Sequence, residues 1–114
     1  MLTKEQILQA DDLPREEVDV PEWGGTVFVR TMTGAERDDW EMETYSGEGT
    51  VNRANVRARL CARCMVDDQG ARLFTDKEAD KLGAKSGAAL DRVFQIAREL
   101  NGLSAKEVET LEKN

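Results

Sequence analysis

Hydrophobic residues recur along this chain with two periods, and the change of period divides it into elements. Over residues 18–30 (VDVPEWGGTVFVR) the period is two. Val18 and Val20 flank Asp19, and Val27 and Val29 alternate with Thr26, Phe28 and Arg30. This alternation predicts a β-hairpin over about residues 17–30 with its valines on one inward face. Gly24 and Gly25 allow the positive φ angles of a tight reversal, and Pro21, which cannot donate to a ladder, belongs at a strand end or an edge. Further along the period is three to four. Val56, Leu60 and Cys64, with Cys61 and Met65 beside them, make one stripe of a helix over about residues 52–66. Leu90, Val93, Phe94, Ala97 and Leu100, widened by Ile96, make the longest stripe, over about 86–101. Asn101-Gly102 stops that helix, and Leu103 can fold back onto it.

Capping boxes mark where helices begin. Thr3 with Gln6, Thr33 with Glu36, Thr75 with Glu78 and Ser104 with Glu107 each place a hydroxyl and a returning Glu or Gln around a first turn. They predict helices over about 4–10, with Ile7 as the main apolar anchor, and 34–46, an acidic helix with Trp40 as its main large apolar residue. Two more follow over about 76–82 and 105–112, the last with only Val108 and Leu111 to pack. Ser46-Gly47-Glu48-Gly49-Thr50 reads as a flexible joint, Asp67-Asp68-Gln69-Gly70 as a turn, and Leu73-Phe74 as a short extended piece. The expected fold is α+β and mostly helical, with four to six short helices and one small N-terminal hairpin. It forms a single domain over 1–114: hairpin and acidic helix in 1–46, a joint at 47–51 and a helical part in 52–114.

Composition narrows the chemistry. The chain has 114 residues, a formal net charge of −7, 39% hydrophobic residues and only 5% aromatics, so the core is expected to be modest and aliphatic. Such acidity disfavours binding to nucleic acid or anionic lipid. No run of 18 apolar residues exists and the first residues lack a signal-peptide core, which predicts a cytoplasmic protein with no membrane contact. The charge is uneven: residues 1–50 hold 13 acids and 4 bases, whereas residues 51–72 hold 5 arginines and 2 aspartates. The basic middle either answers the acidic half of the same chain or offers a site to a partner.

Catalytic chemistry has little to build on. There is no histidine, the commonest general base and metal ligand. Cys61-x-x-Cys64 lacks a second pair to complete a structural zinc site, and its helical setting puts both thiols on the core face. The pairs Asp11-Asp12, Asp38-Asp39 and Asp67-Asp68 fall on helix surfaces, ends or turns. Gly24-Gly25 lacks the spacing of a phosphate loop. The chain is read as a non-enzyme without a cofactor.

Binding remains. Trp23 at the hairpin tip is one anchor for a partner. Arg53 and Arg57, and Arg59 and Arg63, are each four apart and form two basic rows beside the stripe of the 52–66 helix. Any part of the last stripe left open, through Phe94, Leu100 and Leu103, is a third surface. Replacing all four arginines by glutamate is expected to weaken binding without unfolding the protein.

In order and wording the chain resembles the tail assembly chaperones of long-tailed bacteriophages. The shared wording is a leading helix with Ala10-Asp-Asp-Leu13, then VDVPEWGGTVFVR (18–30) and TGAERDDWE (33–41). DDQGARLFTDKEADKLGAKS (67–86) and LDRVFQIARELNGLS (90–104) continue it. The resemblance implies a late phage protein of the host cytoplasm, absent from the mature virion. It implies binding to the tape measure protein, which is kept soluble until the tail tube polymerises around it. It also implies a frameshifted extension that recruits the major tail protein, and Glu112-Lys113-Asn114 can be encoded by a slippery A-AAA-AAC run. Self-association is compatible with the pattern. A minor structural tail or head–tail connector protein is the alternative.

Overall fold

The computed structural model describes residues 1–45, 49 and 51–103. In chain order these form α1 (Lys4–Gln9), β1 (Arg15–Val20), a 3-10 turn (Pro21–Trp23), β2 (Gly25–Arg30) and α2 (Gly34–Thr44). Then come α3 (Val56–Cys64), β3 (Met65–Val66), a second 3-10 turn (Asp76–Glu78), α4 (Ala79–Gly83) and α5 (Gly87–Leu100). The chain is α+β and mostly helical, as the two periods predict. The helix expected over 105–112, its Ser104 box and most of the joint lie outside the described residues.

The hairpin forms in the register that puts Val18 opposite Val27 and Arg15 opposite Arg30. Its inward face buries Val18, Val20 and Val29, with Val27 half-covered. On the other face the Arg15 guanidinium lies 4.5 Å from the centre of the Phe28 ring. Of the two turn glycines only Gly24 takes a positive φ, 76°, and it closes the Pro21–Trp23 turn by donating its N–H to Pro21 O at 3.0 Å. Gly25 is already strand. A third strand joins the sheet: Met65 and Val66 pair antiparallel with Val29 and Phe28. The helix expected over 52–66 is therefore shorter at both ends. At its start Asn55 adopts φ 49°, and at its end Met65 continues the apolar stripe but enters the sheet. Helical spacing and a buried strand cannot be told apart over two residues.

The predicted caps at Thr3, Thr33 and Thr75 are all made, and Ser86 Oγ caps α5 by accepting from Ala89 N. α3 is the central rod. Of its nine residues only Arg57 is not buried, because α2, α4 and α5 all pack on it. Trp40 is fully buried and pins α2 to it. Gly83 lets α4 close on α3, since a Cβ there would stand 2.7 Å from Asn55 Oδ1. α5 buries Leu90, Val93, Phe94 and Ala97 against α3 and the sheet, and Leu103 folds back, donating its N–H to Arg98 O at 2.9 Å. One core thus draws on residues from both sides of positions 46–50.

α1 departs from expectation. Its cap is complete, yet it buries no residue, and Ile7 (56% exposed) and Leu8 (74%) face outward together with Leu2 (71%). Among the described residues Ile7 anchors nothing: the amphipathic spacing is real, but no described element covers it.

Candidate partner-binding surface

The arginine rows do not share one environment. Arg59 and Arg63 point inward and are buried. Arg59 donates from Nε to Ala54 O (2.8 Å), from NH2 to Asn52 O (2.7 Å) and from NH1 to Thr44 Oγ1 (2.9 Å) and Glu43 Oε1 (3.1 Å). Its guanidinium also lies 5.3 Å from the Trp40 ring centre. Burial lowers its pKa from the ordinary guanidinium range and the Glu43 charge opposes that shift, so it stays protonated. Arg63 donates to Arg59 O and meets Glu43 Oε2 at 3.4 Å and Asp76 Oδ2 at 3.6 Å. Glu43 is thereby the shared counter-charge of two interior cations. Arg30 and Arg72 converge in the same way on Glu36, at 2.8 and 3.6 Å. The basic middle answers the acidic half of its own chain, one of the two readings the charge pattern allowed.

This placement corrects the expectation that all four arginines tolerate glutamate. Arg59→Glu or Arg63→Glu would put a second anion beside Glu43 in the interior. Arg53 is exposed ahead of α3, and Arg57, half-exposed, pairs with Asp91 at 3.5 Å. Of the apolar candidates, Phe94 and Leu103 are buried and Leu100 is half-covered by the core.

Trp23 is different. It forms one wall of an apolar groove of about 400 Å³, with Val27, Met65, Leu73, Phe74 and Leu82 as the other apolar walls and Lys81 and Lys85 at the rim. Each wall has a local cause. The hairpin tip is clamped to α5 where Arg92 Nε donates to both Glu22 carboxylate oxygens, at 2.9 and 3.1 Å. The hydrogen bond from Arg92 holds the Glu22 carboxyl below the usual range. Asp67 Oδ1 accepts from the N–H groups of Gln69 and Ala71, and the reversal it builds returns the chain so that Leu73 N donates to Met65 O at 3.1 Å. Thr75 starts the next turn at once, so Leu73 and Phe74 are held between two fixed points, with Leu73 44% exposed. The Trp23 Nε1–H is shielded from solvent and has no acceptor among the described residues.

Such a slot receives apolar side chains and favours acidic flanks through its two rim ammonium groups. Among the described residues its lining holds no thiol, hydroxyl or carboxylate. Cys61 and Cys64 are both buried, and burial pushes the Cys64 thiol up to about 12 and Cys61 higher still. Among the described residues no group of three or more acids and thiols is placed to hold a metal, and no helix is long and apolar enough to cross a membrane. Leu73, Phe74, Lys81 and Lys85 were not singled out from sequence as a binding site. Their signal was there: two adjacent large apolar residues between a turn and a cap cannot both enter a core, and the lysines are four apart on one edge.

No curated protein sequence matches this chain significantly. Among solved structures, that of the bacteriophage HK97 tail assembly chaperone superposes with a TM-score of 0.62 at 20% identity, over 84% of this chain and 94% of that one, which shows a shared fold. The profile of the phage tail assembly chaperone family matches residues 3–113, nearly the whole sequence. The chain therefore belongs to the phage tail assembly chaperone family.

Proposed function

We propose that this protein binds the tape measure protein of its phage in the host cytoplasm and keeps it soluble until tail-tube subunits assemble around it. Family membership over residues 3–113 is the observation that carries this reading. A chaperone of this kind acts by binding and needs no catalytic group. What it needs is an acidic, soluble body, here of net charge −7, and a place for apolar side chains of a long helical client. The Trp23–Leu73–Phe74 groove, apolar inside with Lys81 and Lys85 at its rim, is the surface that best fits this need. A frameshifted longer product would carry a second domain that recruits the major tail protein, and a slippery run in the gene is the check on that step.

Co-expression tests the role. The tape measure protein made alone should pellet, and made with this chain should stay soluble and co-purify with it. Mass spectrometry of mature virions should not find this chain. A client that is equally soluble without it, or stoichiometric amounts of the chain in virions, would replace the chaperone reading with that of a structural tail component.

A further inference from the structure

On a chain of net charge −7 most arginines are answered by a carboxylate: Arg37 by Glu41, Arg57 by Asp91, Arg72 by Asp76 and Arg92 by Glu22. Three lysines are not. Lys77, Lys81 and Lys85 are exposed, and among the described residues none of them is in an ion pair. Glu78 feels the charge of Lys81, but its carboxylate is held by the Thr75 N–H and hydroxyl, at 2.9 and 3.2 Å. Each lysine is four residues from the next, so the row follows one side of the Asp76–Glu78 turn and α4.

The row borders apolar surface. Lys81 and Lys85 rim the groove walled by Trp23. Lys77 borders a second slot, of about 480 Å³, whose lining also includes Leu73 and Phe74 and whose other charges, Arg72 and Asp76, pair with each other at 2.6 Å. Leu73 and Phe74 are thus shared by two slots, and unpaired ammonium groups stand beside both. An occupant must bring apolar side chains and, next to them, acids at the lysine spacing. A helix offers both on adjoining faces. Its residues four apart lie on one edge, and three of them span about 12 Å at about 1.5 Å per residue, the same repeat as the lysine row. A strand sends successive side chains to opposite faces and cannot offer both to one surface. A nucleic acid would meet the lysines but leave the slots unfilled, and the acidity of the whole chain would repel it.

We propose that the segment this chaperone binds is an amphipathic helix with an acidic edge. Its large apolar side chains enter the two slots beside Leu73 and Phe74, and its Glu or Asp residues, four apart, meet Lys77, Lys81 and Lys85. This specificity rests on the client-binding function proposed above and decides which stretches of the client are bound. The slots supply affinity for apolar side chains of any helix. The lysines choose among such helices, because one with a basic edge meets like charge there.

Peptides of about 20 residues, long enough for about five turns of helix, are tiled over the tape measure protein and titrated with the full chain by fluorescence anisotropy. Those bound by the wild type should carry acids four apart beside an apolar stripe, and salt should weaken their binding. Replacing Lys77, Lys81 and Lys85 together by glutamine should weaken it about tenfold. Lys81→Glu and Lys4→Glu change the net charge equally, but Lys4, also exposed, borders neither slot. Lys81→Glu should therefore weaken binding and Lys4→Glu should not. All four lysines are exposed, so each variant should keep the wild-type circular dichroism spectrum. Bound peptides without an acidic edge overturn the proposal. So do folded lysine variants that bind like the wild type, or a loss with Lys4→Glu equal to that with Lys81→Glu. A wild type that binds no peptide, the outcome if another part of this chain or a second copy fills the slots, overturns it too. In each case co-expression that still keeps the whole client soluble leaves the chaperone function standing, whereas a client equally soluble without this chain removes that function itself.

Discussion

Replacing Glu43 by alanine removes the carboxylate that two interior guanidiniums share. The side chains of Arg59 and Arg63 are 8% and 2% exposed, and that of Glu43 is 40% exposed. Breaking a fully buried pair costs about 3–5 kcal/mol, because the surviving charge is left without its partner. Two features reduce that figure here. Arg63 keeps Asp76 at 3.6 Å, and Arg59 keeps Thr44 Oγ1 and the carbonyls of Asn52 and Ala54. Part of the Glu43 carboxylate is also already screened by water. The remaining cost is about 2 kcal/mol, or a fall in Tm of roughly 8 °C for a domain of this size. Glu41 is the internal control. It lies on the same helix, 51% exposed and 3.4 Å from Arg37, and Glu41→Ala should cost less than about 0.5 kcal/mol. Urea unfolding followed by circular dichroism measures both, with the midpoint moving for Glu43→Ala and the slope unchanged. Equal midpoints for the two variants would refute the interior-cation account.

Two further outcomes follow from the packing and the charges. Because burial holds both thiols protonated, Cys61 and Cys64 should resist a thiol reagent at pH 8 in the folded protein and react only in denaturant; rapid native labelling of either would contradict the packing of α3. Burial raises the Glu36 pKa, but hydrogen bonds from Arg30 and the Thr33 N–H, with the Arg72 charge, outweigh it and hold the carboxyl below its usual range. A folded-state value below the unfolded one gives stability that is complete above about pH 4.3 and is lost as pH falls through the folded value. Glu36→Gln should therefore lose less stability than the wild type on acidification below about pH 4.3, and parallel acid limbs would exclude Glu36 as a contributor.

Much of this fold is legible in the sequence because its periods are clean. The valine alternation placed the hairpin, and the Leu90–Leu100 stripe placed α5. Two caps located the starts of α1 and α2 to the residue, and Thr75 located the 3-10 turn that runs into α4. Met65 and Val66 were assigned to a helix because a two-residue strand has no period of its own and is made by its partner β2. The outward face of α1 was misread because amphipathic spacing says that a stripe exists, not that anything covers it. Arg59 and Arg63 looked like surface because arginine is seldom buried. What reverses that preference is tertiary: Glu43 and Asp76 arrive from other elements, and Ala58 and Ala62 let the neighbouring helices come close. The groove is assembled from the hairpin tip, the 72–75 segment and α4, distant stretches that no local pattern joins. Trp23 alone pointed to it.

The central claim is that this chaperone holds its client through the Trp23–Leu73–Phe74 groove. Light scattering of purified tape measure protein diluted from denaturant tests it most directly, with equimolar wild-type chaperone or with Leu73→Glu. That variant places a charge on an exposed wall of the slot and should leave the fold intact. The account predicts that the wild type suppresses aggregation and that the folded variant loses most of that suppression. Suppression by Leu73→Glu equal to that of the wild type would contradict it.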